Sequence, residues 1–66
     1  MVDWAQIRRS CLRTSLAMGA AAADAEDVAQ EAMVRTFERA PSDPESYARR
    51  VASKLTSDAL RARGRR

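Results

Sequence analysis

The sequence predicts an all-α fold, a bundle of three helices. Three observations lead there. Apolar residues recur at three- and four-residue spacing and nowhere alternate with period two. Strand-favouring residues are sparse, with one Trp, one Tyr and one Phe among 66 residues, while Ala and Arg abound. Glycine and proline fall between the periodic stretches, at Gly19, Pro41, Pro44 and Gly64, where they punctuate helices. A chain this short is one domain. It buries only about 60% of its unfolded surface, and such a core rarely supplies more than about 3–5 kcal/mol. Marginal stability alone is therefore expected, and a large partner would help.

The first helix is expected over about residues 4–18. Asp3 and Gln6 make an Asp-x-x-Gln start. Trp4, Ile7, Cys11, Ser15 and Met18 form its apolar stripe, widened by Leu12 and Leu16, and Arg9 and Arg13 face away. Gly19 is the stop. The alanine run 20–23 can extend either neighbour or form the turn. The second helix is expected over about 25–39. Acidic residues near Asp24 suit the positive end of its dipole, and Pro41 ends it because the residue before a proline is pushed out of the α region. The third helix is expected over about 44–62. Two starts are equally good: a Ser42–Glu45 box, or Asp43 followed by Pro44 at the first helical position. Its buried stripe is Ala48, Val51, Ala52, Leu55 and Ala59, and a basic tail, 63–66, follows.

Composition narrows the function. There is no apolar run of about 20 residues, as a membrane span needs. The start, Met1-Val-Asp-Trp, lacks a signal-peptide layout, so a cytoplasmic protein is expected. Cys11 is the single cysteine and reads as a small buried hydrophobe. Histidine is absent, which removes the usual general base and the commonest metal ligand. Carboxylates sit at helix starts without a Gly-rich loop or metal-ligand spacing. Asp27 and Glu31 could hold a cation, but a lone pair of this kind is far more often structural. No catalysis, cofactor or metal is expected. Charge is uneven: residues 1–40 hold five Arg against six acidic residues, and residues 41–66 hold seven Lys/Arg against three. A basic C-terminal part points to nucleic acid.

Two faces stand out. At about 100° per residue, Val28, Ala29, Ala32, Met33, Thr36 and Phe37 share one side of the second helix. Asp27, Gln30, Glu31, Val34 and Glu38 share the other, with Val34 an apolar residue in a polar setting, as on a protein-docking surface. On the third helix, Arg50, Lys54, Ser57 and Arg61 lie side by side opposite the buried stripe, a ridge suited to phosphates. The bland alternative for both is an ordinary solvated face. Trp4 and Tyr47 could stack on bases, although core packing is the simpler role.

The run Asp24-Ala-Glu-Asp-Val-Ala-Gln-Glu31 resembles region 2 of extracytoplasmic-function (ECF) bacterial sigma factors, where an Asp-x-x-Gln-Glu core is typical. Leu16-Ala-Met-Gly19 looks like the end of the preceding sigma helix. Tyr47 to Arg66 looks like the promoter-facing helix and its basic tail. The resemblance implies a transcription initiation module. Asp27, Gln30, Glu31 and Val34 would dock on the β′ clamp helices of core RNA polymerase. Arg49, Arg50, Lys54, Ser57, Arg61 and Arg63 would meet minus-ten promoter DNA. An anti-sigma factor is a further implied partner. Three features depart from the family pattern. The loop from Glu38 to Ser46 is short. Lys54 stands where Asn is common, exchanging a base-reading amide for a point charge that favours backbone contact. A full sigma factor continues past the position of Arg66 into a second helical domain, so an excised domain and a stand-alone module both remain open. So do two rival functions: a sigma mimic that binds polymerase or an anti-sigma factor without opening DNA, and a small non-specific nucleic-acid binder.

Overall fold

The chain's local signals become three helices: α1 (Trp4–Ala17), α2 (Ala22–Arg39) and α3 (Pro44–Gly64). The structure, a computed structural model, describes residues 1–64. Among them there is no strand, so the all-α expectation holds. The remainder of the expected basic tail, Arg65 and Arg66, lies outside the described residues.

Asp3 caps α1 by accepting the Gln6 backbone N–H at 3.1 Å. The Gln6 side chain does not return the bond; it accepts from Arg9 instead, at 2.8 Å. Gly19 ends the helix with φ +106. Its N–H donates to Leu16 and that of Ala20 reaches back to Ser15, the two bonds of a Schellman stop. α2 begins at Ala22, about three residues before the expected start. Ala21 occupies the cap position in an extended conformation with no side-chain hydrogen bond. Alanine's helix propensity carries the helix back through a stretch with no start signal. Its C-cap, Ala40, sits in the left-handed region at φ 50, ψ 54 and donates to Thr36. α3 uses the Asp43–Pro44 start: the Asp43 carboxylate accepts the Ser46 N–H at 3.2 Å. That choice releases Glu45, whose carboxylate accepts the Ser10 hydroxyl at 2.7 Å. α3 also runs to Gly64, so Arg63 lies inside the helix rather than beyond it.

All three helix pairs pack against one another. Ser10 meets Glu45 and Ser15 meets Thr56, so α1 and α3 run parallel. Trp4 lies beside Phe37 and Asp24 pairs with Arg63, so α2 runs antiparallel to both. The core is thin: Ile7, Cys11, Val28 and five fully buried alanines of α2 and α3, Ala25, Ala29, Ala32, Ala48 and Ala52. Alanines let the helices approach closely. At one end of the seam the Ser15 and Thr56 hydroxyls share a buried hydrogen bond of 2.7 Å. No buried side-chain polar atom among the described residues lacks a partner, as a low-dielectric interior requires. Burial pushes the Cys11 thiol above its ordinary range, outweighing the opposing pull of Arg49. The thiol stays protonated and packs as a hydrophobe.

The stripes need three corrections. Leu16 and Met18 are exposed. Leu16 lies about 140° around the helix from Cys11, and Met18 is already the C-cap. Phe37 is 72% exposed, on the edge of the buried face of α2. Ala59 is exposed and Thr56 is buried in its place. α1 stops two residues after Ser15, whereas α3 continues eight residues past Thr56, so α3 overhangs α1 by about 9 Å at 1.5 Å per residue. Ala59, three residues past Thr56, lies on this overhang.

Candidate functional site

α2 builds the first face. Helical spacing places Asp27, Gln30, Glu31 and Val34 on its outer side, and all four are exposed. They do not form one uniform patch. Asp27, Gln30 and Val34 line a groove against α1, together with Arg8 and Met33. Glu31 stands beyond them and is bonded to Arg35, one turn on, at 2.9 Å. Next to the groove is an apolar surface on which Val34 joins three residues, Trp4, Met33 and Phe37, that helical patterning had placed on the buried side. Trp4, Met33, Val34 and Phe37 line one concavity, with Val34 46% and Phe37 72% exposed. The Trp4 and Phe37 rings lie 6.1 Å apart in a tilted arrangement. Phe37 had a visible signal, a bulky side chain at the edge of its stripe. The sequence could not show that its only aromatic neighbour, Trp4, would leave it mostly exposed.

α3 builds the second face. Arg50, Lys54, Ser57 and Arg61 do form a ridge, with Ser57 half-buried and accepting from Arg61 at 3.3 Å. Its charge is partly answered from within. Asp58 lies 3.7 Å from Lys54 and 3.8 Å from Arg61. Arg49 is set apart, on the flank that faces α1, where its charge is felt by Cys11. Arg63 is set apart too, paired with Asp24 at the start of α2. Two residues that the sequence had not joined to the ridge border it: Arg35 of α2 and Tyr47 line a cavity of about 240 Å³ with Arg50, Val51 and Lys54.

Among the described residues no group of three or more potential metal ligands converges. No helix among them is long and apolar enough to cross a membrane.

With the helices and faces in place, a model of sigma-70 region 2 matches residues 5–66. The chain belongs to the sigma-70 region 2 family. No curated protein and no solved structure matches it. Sigma region 2 is a non-enzymatic transcription-factor family. Membership implies, in general terms, binding to core RNA polymerase and promoter DNA. It also accounts for the order of the parts. The matched stretch takes in the whole acidic and apolar face of α2 and the whole basic ridge of α3.

Proposed function

We propose that this sigma region 2 chain is an ECF-type, cytoplasmic initiation module that binds two macromolecules through its two faces. Asp27, Gln30, Glu31 and Val34, extended by Trp4, Met33 and Phe37, dock on the β′ clamp helices of core polymerase. Arg50, Lys54, Ser57 and Arg61, flanked by Arg49 and Arg63, then meet minus-ten promoter DNA. One observation carries the docking half: two large apolar side chains, Val34 and Phe37, stand exposed beside an acid and an amide on one helix. That combination of apolar anchor and polar rim is the anatomy of a protein interface. The work done is binding. Strand separation would follow from trapping unpaired DNA on α3, with no covalent step.

The experiment is charge reversal. Asp27→Arg should abolish co-purification with core polymerase and leave the helical circular dichroism intact. Unchanged co-purification would sink the docking assignment. A second reading has its own support: a sigma mimic that occupies polymerase, or an anti-sigma factor, without opening DNA. The internal pairing of Lys54 and Arg61 with Asp58, and of Arg63 with Asp24, favours it. Run-off transcription with core polymerase separates the two. Product from a defined promoter supports the initiator, and inhibition of another sigma factor supports the mimic.

A further inference from the structure

We propose that the α1–α2 side of the molecule binds a second copy of this chain, with α1 of each copy lying over α2 of the other in a two-fold, four-helix arrangement. The inference goes beyond the reading above and needs neither polymerase nor DNA. Charge complementarity carries it. α1 holds Arg8, Arg9 and Arg13 and no acid, whereas residues 22–31 of α2 hold Asp24, Glu26, Asp27 and Glu31 and no cation. The two sets stand at matching heights. Trp4 lies beside Phe37 and the two helices are antiparallel. At equal rise per residue, Arg9 is then level with Ala32, next to Glu31, and Arg13 is level with Val28, next to Asp27. All four charged residues are exposed. Among the described residues Arg9, Arg13 and Asp27 have no ion-pair partner within the molecule.

A two-fold axis parallel to the helices keeps every residue at its own height and carries α1 of one copy over α2 of the other. Arg9 then meets Glu31 of the second copy and Arg13 meets its Asp27, each pair occurring twice. Shape agrees with charge. At about 100° per residue, Ala5, Arg9, Leu12 and Leu16 share one outer strip of α1, with Arg13 on its rim. Ala5 is exposed and stands at about the height of Phe37, so the protruding ring finds a small residue opposite it. Leu16, half exposed in the single molecule, gains cover. An apolar strip with charged pairs along its rim is the make-up of a specific interface. The dimer covers the same Asp27, Glu31 and Val34 that are proposed to meet polymerase, so the two partners exclude each other.

The test is sedimentation equilibrium of the 66-residue chain from micromolar to millimolar concentration. The native chain should move from 7.3 kDa toward twice that mass. Arg13→Asp and Asp27→Arg each set two pairs of like charge against one another and should raise the dissociation constant by about tenfold. Mixed in equal amounts, the two variants restore both pairs and should form a one-to-one dimer about as tight as the native one. Ala5→Arg, at an exposed helical position, fills the hollow opposite Phe37 and should also hold the chain monomeric. A native chain that stays monomeric to millimolar concentration overturns the proposal. So does a dimer that either charge reversal leaves intact, since it uses another surface, and so does a mixture that fails to recombine. Thermal melts followed by circular dichroism confirm that each variant is folded.

Discussion

The outer sides of α2 and α3 are both charged and both exposed, yet they differ in what else they carry. α2 exposes Val34 and Phe37 beside its acids. The ridge of α3 exposes no large apolar side chain among the described residues, and its cations are partly answered by Asp58. The difference teaches what each side can hold. Desolvating apolar area gives lasting contact with a protein groove. Cations on a ridge exchange counter-ions and suit a polyanion. Charge alone would have made the two sides look alike with the sign reversed; exposed apolar area tells them apart.

The strongest way to break this contrast is Phe37→Ser. Full burial of such a ring is worth about 1.5–3 kcal/mol, so polymerase affinity should fall by tenfold or more in a quantitative pull-down. DNA binding by the same variant should not change. Equal affinity for polymerase would remove Phe37 from the docking face. A smaller effect is expected at Asp58. Asp58→Asn takes away the acid beside Lys54 and Arg61 and should raise DNA affinity a few-fold at low salt, with the gain fading as salt is added. A variant that binds more weakly would make Asp58 a support of the ridge rather than its competitor. The smallest effect on either face is expected from Ala40→Gly. Ala40 holds a left-handed conformation that costs an L-residue about 1–2 kcal/mol. Glycine should recover about 1 kcal/mol in a urea melt and leave both kinds of binding as they were. A loss of stability there would place the chain's turn energetics elsewhere.

Much of the fold was legible because helix ends are written in local chemistry. Asp3 and Gly19 each act within four residues, and each sits where the sequence placed it. The start of α2 was not legible, since an alanine run has no side chain to mark a cap. The choice between the Ser42 and Asp43 starts was not legible either. It is tied to Ser10, 35 residues away, which takes up the Glu45 carboxylate. The stripes were right at their centres and wrong at their edges. Periodicity gives the angle of a residue around its helix, but not whether a neighbour covers it, as Phe37 and Ala59 demonstrate. The faces were legible as exposed positions. Of the ion pairs on them, Arg63 with Asp24 depends on how α2 and α3 lie together, whereas Glu31–Arg35, Lys54–Asp58 and Asp58–Arg61 are pairs within one turn of a single helix.

The alanine-lined seam carries a consequence for the life of the molecule in a cell. With so little hydrocarbon inside, the unbound domain is expected to open readily, and each opening would offer its backbone to proteases. Anything that grips only the closed form lowers the frequency of those openings by mass action. Copies engaged on an assembly would outlast idle ones, and the surviving amount would follow the supply of vacant assemblies rather than the rate of synthesis.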